Sequence, residues 1–301
     1  MKRNVGGRGS LKGSEKMTVI RDIQLSIPSD INYFDHTVIV DDDTGETSPF
    51  TDYRQSKSAI FHYETRCITS LYTRFLPEIH TDGEKGIIIQ CVPDLSKLSE
   101  KEMEMERVPD FITVYVEMDY NQYFSLTDDL EKKKMALEVL QEGMEKLADE
   151  RGWDKQVFRE IYNKIKELNY KNTFIYKKKS SPNRRYICSI ICEHEVSYVD
   201  IYLEIKRQKG NKVLKKERLV RVDRPHESFY WRYLGDLMWT LNHKVTFTDR
   251  LHHFGWVVTF LEKENETQII WKSSMGSAIC PPPGDENPRQ FGIFTEKFHG
   301  Q

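Results

Sequence analysis

Three polar residues near the middle of the chain have the types and spacing of a hydrolytic site. Asp200, Glu204 and Lys206 alternate with apolar residues in one short segment. In a strand, positions of this spacing lie on one face. Two carboxylates there could bind a metal ion, and the lysine could lie near an attacking water molecule. The pattern is therefore chemically compatible with metal-dependent cleavage of a phosphodiester.

The same pattern also has a simpler interpretation. Polar residues alternate on any strand that has one face in water, so Glu-x-Lys pairs arise there without catalysis. In restriction-type nucleases, moreover, the first acidic residue lies on a neighbouring strand, whereas Asp200 and Glu204 share one. A nuclease that uses Asp200, Glu204 and Lys206 is therefore the alternative hypothesis for function.

Three clusters of basic residues lie close to this segment in the sequence. They are Lys177, Lys178 and Lys179, then Arg184 and Arg185, and then the stretch from Lys206 to Arg221. Basic residues interleaved with tyrosines suit contact with a phosphate backbone and stacking on bases. A basic face would equally bind an acidic protein, and lysines on a sheet edge prevent unwanted strand pairing. Both a nucleic acid and a second protein therefore stay open as partners.

Residues that could bind a metal ion or a cofactor are scattered along the chain. The acidic residues between positions 41 and 52 lack the sixth-position glycine of a calcium-binding EF-hand loop. His252 and His253 lack the zinc-protease spacing. Cys188 and Cys192 would lie about 13 Å apart along a strand, too far for a disulfide. We expect structural thiols in a cytoplasmic protein, with no metal and no cofactor.

Apolar periodicity predicts the elements that hold these residues. Residues 127–169 favour a helical hairpin, because apolar residues recur at spacings of three and four on both sides of Gly152. Thr127 is the expected N-cap. The aromatic-rich residues 228–241 predict a further helix, and alternation from residue 173 onward predicts strands. Groups of strands with separate helices indicate an α+β fold with mainly antiparallel sheets.

Composition divides the chain into four parts. Residues 1–16 predict a disordered basic tail, residues 17–178 an α+β half with the hairpin, residues 179–280 a β-rich half, and residues 281–301 a proline-rich break and tail. The chain carries 45 Lys and Arg against 47 Asp and Glu, a net charge of −2, so attraction to a polyanion must be local. No apolar stretch reaches the ~20 residues of a membrane span, and we expect no membrane partner.

Residues 118–192 resemble immunity proteins encoded beside bacterial polymorphic toxins. The resemblance rests on residues along the hairpin and the strand after it: Leu126, Lys132, Lys133, Lys134, Leu137, Trp153, the run from Asn172 to Tyr176 and the run from Ser181 to Tyr186. It covers about a quarter of the chain and carries over no site residues. The resemblance implies a cytoplasmic, non-catalytic protein that binds and blocks a cognate toxin.

The function expected from these observations is that of a non-enzymatic intracellular protein-binding module. Tyrosine and arginine are frequent anchors of tight interfaces, and we expect Tyr198, Tyr202, Arg184 and Arg185 to contact the partner. The alternatives are a nucleic-acid-binding protein, the nuclease described above, and an enzyme whose site is assembled from residues distant in sequence.

Overall fold

The described part of the chain combines helices with sheets, which confirms the expected α+β class. The computed structural model describes residues 17–28, 37–40, 47–50, 56–99, 101, 103, 107–262 and 269–277. The tails expected at residues 1–16 and 281–301 lie outside these residues. So do the acidic residues considered for calcium, which are Asp41, Asp43, Glu46 and Asp52.

The first half of the molecule is built on a three-stranded parallel sheet. This half of the chain contains seven strands among the described residues: β1 (Thr18–Val19), β2 (Asp22–Ser26), β3 (Thr37–Val40), β4 (Thr47–Phe50), β5 (His80–Thr81), β6 (Gly86–Val92) and β7 (Phe111–Glu117). The parallel sheet has the order β2-β6-β7, while β1 pairs with β5 and β3 with β4. Helix α1 (Lys57–Phe75) lies between β2 and β6 in the chain and completes a crossover that the sequence analysis did not anticipate. All seven residues of β6 are buried, as expected for a parallel strand covered on both faces.

The helical hairpin expected at residues 127–169 is confirmed. A short helix α2 (Tyr120–Ser125) precedes α3 (Asp129–Arg151) and α4 (Lys155–Glu167). Gly152 ends α3 with a φ of 66°, a conformation that glycine adopts without strain. Gly143 lets α3 approach the sheet closely, since a Cβ there would come within 2.8 Å of Ile89. The N-cap is Asp128, whose side chain accepts from the amide of Leu130, rather than the expected Thr127.

The second half consists of two antiparallel four-stranded sheets that pack face to face. The first contains β8 (Asn172–Ser180), β9 (Tyr186–His194), β10 (Val199–Arg207) and β11 (Val213–Val222). The second contains β12 (Leu237–Leu241), β13 (Lys244–Thr248), β14 (Phe254–Glu262) and β15 (Ile269–Ser277). Each is a meander of sequential strands. Their shared core includes Ile201 and Leu203 from one sheet and Phe247, Trp256 and Val258 from the other.

The prediction of a helix over residues 228–241 is wrong. That segment forms a one-turn helix α5 (Glu227–Tyr230), a 3₁₀ turn (Trp231–Tyr233) and then strand β12. Gly235 lies so close to the neighbouring strand that a Cβ would come within 2.1 Å of the Asp249 carbonyl oxygen. Its amide donates to Thr248, and Leu237 pairs with Phe247. Long-range pairing therefore overrides the local helical pattern.

The two halves meet at the start of β8. The boundary expected between residues 178 and 179 falls inside this strand, which pairs with β9 along its whole length. Asn172 at its first position donates to the Cys67 carbonyl of α1 at 2.6 Å, and this bond joins the halves.

Within the residues that the structure describes, none of the helices is long and apolar enough to cross a membrane.

Candidate binding surface

The residues singled out on β10 lie together on the side of their sheet that faces away from the second sheet. Alternation places the odd-numbered apolar residues of β10 in the core and the even-numbered polar residues on the opposite side. We define the outer face as these residues and their cross-strand neighbours: Tyr198, Asp200, Tyr202, Glu204 and Lys206 with Glu193, Lys216, Arg218 and Arg221.

Asp200 is the centre of the outer face. Arg221 donates to both of its carboxylate oxygens, at 2.8 and 2.7 Å, and Arg218 donates to Oδ2 at 3.2 Å. The Tyr202 hydroxyl donates to the same oxygen at 3.2 Å. Burial alone would raise the pKa of Asp200, but the hydrogen bonds from both arginines hold it below its usual value. Asp200 is therefore an ionised structural anchor rather than an open metal ligand.

The two tyrosines of the outer face are each covered by a cation. The Arg221 guanidinium lies 3.6 Å from the centre of the Tyr198 ring, and the Lys216 ammonium lies 4.2 Å from that of Tyr202. Lys216 is also paired with Glu193. Such cation–π contacts hold long side chains in place. The outer face is therefore a set of interlocked tyrosine, arginine and carboxylate groups.

The geometry does not bring Asp200, Glu204 and Lys206 together as a metal site. Glu204 Oε1 lies 2.9 Å from Lys206 Nζ, an ion pair without hydrogen-bond geometry. The Cα atoms of Asp200 and Glu204 are about 13 Å apart along the strand, while carboxylates that share an ion bind it at about 2–2.6 Å each. Among the described residues, no group of three or more His, Cys, Asp or Glu could hold a metal ion.

Arg184 and Arg185 lie at the other end of the same sheet. They form the turn between β8 and β9, where Arg184 has a φ of 55° and the Arg185 carbonyl accepts from Gln208. Nine residues of strand separate this end from Tyr198, a distance of about 30 Å. The structure therefore joins Tyr198 and Tyr202 with Arg218 and Arg221, and not with Arg184 and Arg185.

The three basic clusters border the sheet on three sides. The lysines from 177 to 179 lie on edge strand β8, Arg184 and Arg185 lie at one end, and the stretch from Lys206 to Arg221 leads into the opposite edge strand β11. The two edges are about 14 Å apart. Residues 172–222 hold 13 Lys and Arg against 5 Asp and Glu, so they carry +8 in a chain whose net charge is −2. The basic charge is therefore concentrated around one sheet.

The histidines and cysteines considered for metal binding occupy separate places. His252 and His253 are exposed in the turn before β14, and His252 Nε2 lies 3.5 Å from Asp236. Cys188 and Cys192 are free thiols on the core side of β9. Burial raises the pKa of Cys192 to about 12 and raises that of Cys188 as well. The two thiols are therefore un-ionised and unreactive at neutral pH.

A second cluster of polar residues, which sequence reasoning missed, joins the two halves. Arg66 of α1 donates to Asp22 and to Glu227, both at 2.7 Å, and only 11% of its side chain is exposed. The His62 and His226 rings lie beside it with centres 5.1 Å apart. We call these five residues the junction cluster. They come from positions 22 to 227 of the chain, so no local pattern could have indicated them.

The protonation states of the junction cluster indicate that it links the two halves structurally. Burial lowers the pKa of His62 to about 4, and the charge of Arg66, with that of His226 when its ring is protonated, acts in the same direction. Burial also lowers the pKa of His226, so both imidazoles are neutral at pH 7. Both carboxylates are engaged by Arg66. This arrangement ties α1 to α5 and leaves neither carboxylate unpaired.

Comparison of the chain with known proteins identifies no relative. No family model matches it, and the searches of curated proteins and of solved structures find no match either. The resemblance of residues 118–192 to immunity proteins therefore stays a prediction.

Proposed function

We propose that this protein is a non-enzymatic binding module that holds an acidic protein partner on the outer face. The observation that carries the proposal is the fixed arrangement of Tyr198 and Tyr202 with Arg218 and Arg221 around Asp200. Tyrosine and arginine dominate the energetic centres of protein interfaces. Side chains already held in place lose little conformational entropy on binding.

The charge pattern of the outer face also supports a protein partner. Three carboxylates in its centre, those of Glu193, Asp200 and Glu204, are each within reach of a basic side chain. The unbalanced basic residues lie around the sheet instead. A face whose own charges are paired, with unpaired basic residues around it, can steer the encounter with an acidic protein through those surrounding residues.

A nucleic acid is the second candidate, because residues 172–222 carry a net charge of +8. Two features of the outer face disfavour it. Both rings are only partly exposed and a cation already covers one face of each, so little ring surface is left for a stacked base. The carboxylates also neutralise most of the basic charge at the centre of the face, so little is left to attract phosphate. Nucleic-acid contact would therefore depend on the basic residues at the borders of the sheet.

The finer form of the proposal is an immunity-type inhibitor of a cognate toxin. It rests on the resemblance of residues 118–192 and on a surface suited to binding rather than catalysis. In this form the partner is a toxin domain whose acidic surface docks on the outer face. Co-expression with the captured partner tests this directly, because an inhibitor restores growth that the partner alone suppresses.

The experiment that tests the proposal compares capture by matched variants. Tyr202→Ala and Arg218→Ala remove anchors of the outer face. Tyr162→Ala removes a tyrosine on α4 whose ring centre likewise lies 4.8 Å from a lysine ammonium, that of Lys166, but which packs against the core of the first half. We expect one acidic protein to be retained by the wild type and Tyr162→Ala and lost by both outer-face variants. Equal capture by all four proteins contradicts the proposal.

Salt titration separates the two candidate partners. Contact with Z phosphates makes the logarithm of the binding constant fall with the logarithm of salt concentration at a slope of about −0.9Z. We expect a labelled duplex to bind the chain weakly and to lose binding when Lys178 or Arg185 is replaced by glutamine. A tight complex with nucleic acid that is lost in Tyr202→Ala would replace the proposed protein partner with a nucleic acid.

A further inference from the structure

Two arginines next to β12 differ from those of the outer face. Arg250 stacks over the exposed ring of Trp231 with its guanidinium 4.5 Å from the ring centre, and Arg232 stacks over Tyr233 at 4.7 Å. Within the described residues, neither arginine is paired with a carboxylate, whereas Arg218 and Arg221 both contact Asp200. The Arg250 amide donates to the Arg232 carbonyl at 2.9 Å, which holds the two side by side.

Arg250 and Trp231 border a cavity of about 270 Å³ between the edge of β8 and the turn that precedes β12. We call it the Trp231 pocket. Its walls include Tyr176 and Lys177 from β8, Trp231 and Asp236 from the turn, and Arg250. The turn can lie this close to Asp249 only because residue 235 is glycine. The pocket is therefore fixed by the backbone on one side and by the sheet on the other.

The chemistry of the Trp231 pocket fits a planar group that carries a negative charge. The Trp231 side chain is half exposed although Arg250 lies over its ring, and an exposed indole ring can stack on a base. Arginine without a carboxylate partner is suited to bidentate contact with phosphate. Asp236 is half exposed, and Lys177 donates to its Oδ1 at 2.7 Å. The remaining lone pairs of this carboxylate can accept from the amino group of a base.

The geometry points to a nucleotide as the occupant of the Trp231 pocket. The base lies on Trp231 with its amino edge toward Asp236, and the phosphate contacts Arg250 at the wall of the pocket and Arg232 just outside it. Asp236 disfavours an acidic side chain in the same position, because it would place two carboxylates together. The nucleotide is either free or part of a single strand, since both present a base and a phosphate. This site is separate from the outer face and does not depend on the proposed protein partner.

Binding of AMP, an eight-residue oligodeoxyadenylate and inorganic phosphate by the full chain tests the assignment, measured by calorimetry. Stacking on an aromatic side chain changes affinity by roughly 5- to 150-fold per base. We expect Trp231→Ala to weaken binding within this range and Trp231→Phe to retain most of it. Arg250→Gln is expected to weaken binding about tenfold, because the charge-assisted contact with phosphate is lost.

Arg224→Gln is the matched control. Arg224 also stacks on an aromatic ring, at 5.3 Å from the centre of Phe229, so this variant removes the same charge and the same kind of contact outside the pocket. AMP binding that depends on Trp231 supports a free nucleotide, and oligonucleotide binding alone that depends on Trp231 supports a single strand. Phosphate bound as tightly as AMP, equal losses in Arg224→Gln and Arg250→Gln, or no binding of any probe would overturn the site. Outer-face variants such as Tyr202→Ala leave binding unchanged if the two sites are separate.

Discussion

His194 is a completely buried imidazole at the end of β9, and it makes the stability of the fold depend on pH. Its Nε2 lies 2.8 Å from the Pro225 carbonyl oxygen, and burial lowers its pKa to about 4 from a usual 6.5. Between these values the unfolded chain binds the proton and the folded chain does not. The free energy of unfolding therefore falls as the pH decreases from about 6.5 toward 4, by about 3 kcal/mol for this residue.

Urea denaturation at pH 7 and pH 4.5 measures this effect. His194→Gln keeps a donor for the Pro225 carbonyl but has no group that titrates in this range. We expect the variant to lose some stability at pH 7 and to show a clearly smaller difference between the two pH values than the wild type. An unchanged difference would assign the acid sensitivity to other groups, of which His62 is the next candidate.

Asp200 should contribute to stability as well as to binding. Asp200→Asn removes the charge that fixes Arg218 and Arg221, and hydrogen bonds to charged groups contribute about 1.5–3 kcal/mol each in buried settings. Both arginines are more than a third exposed, so water replaces part of the loss and we expect a decrease of about 1 kcal/mol in the free energy of unfolding. Asp223→Asn, at an exposed position just after β11, is the control. Equal effects of the two substitutions would contradict the anchoring role of Asp200.

The residues of the outer face were only partly predictable from the sequence. Alternation alone places Tyr198, Asp200 and Tyr202 on one side of β10. It does not pair them with Arg218 and Arg221, which are three positions apart and would face opposite sides of a regular strand. A shift in register between Ile201 and Tyr202 places both arginines on the same side. Such an irregularity depends on the pairing of two strands and leaves no local signal.

Helix α3 provides a test at the level of secondary structure. Thr127 and Asp128 are both residue types that cap helices, and the structure uses the second, whose Oδ1 accepts from the Leu130 amide at 2.8 Å. We expect Asp128→Ala to lower the free energy of unfolding by about 1 kcal/mol, because the cap is lost, and Thr127→Ala to change it by less than ~0.5 kcal/mol. Thermal denaturation of the two variants compares them directly. A larger loss in Thr127→Ala would show that the helix begins one residue earlier.

The elements that the sequence predicted well are those stabilised by local pattern. The hairpin of α3 and α4 has apolar stripes at helical spacing, a capping aspartate before each helix and a glycine between them. Strand β12 has a sequence that fits a helix equally well, and it becomes a strand because Leu237 pairs with Phe247. The crossover from β2 to β6 was missed for a related reason. The strands it joins are more than sixty residues apart, and their pairing is visible only in the fold.

The junction cluster links the two halves through Arg66, and we expect this link to couple their unfolding. Arg66→Leu leaves Asp22 and Glu227 without their shared cation, and removal of one partner from a buried ion pair costs about 3 kcal/mol or more. We expect the wild type to unfold in one thermal transition by calorimetry and the variant in two, with the halves separated. Arg159→Leu is the control, since it breaks a pair with Glu145 that is more exposed. A single transition in Arg66→Leu at a lower temperature would show that other contacts, such as those of Asn172, suffice to couple the halves.

A partner that docks on the outer face meets a surface whose side chains are already held in fixed conformations. Arg221 is clamped between the Asp200 carboxylate and the Tyr198 ring, so few rotamers remain to be frozen on arrival. Association should then be a one-step process whose rate follows collision frequency and ionic strength, without a slow phase for reorganisation. Substitutions that loosen the clamp should act mainly by shortening the residence time of the complex.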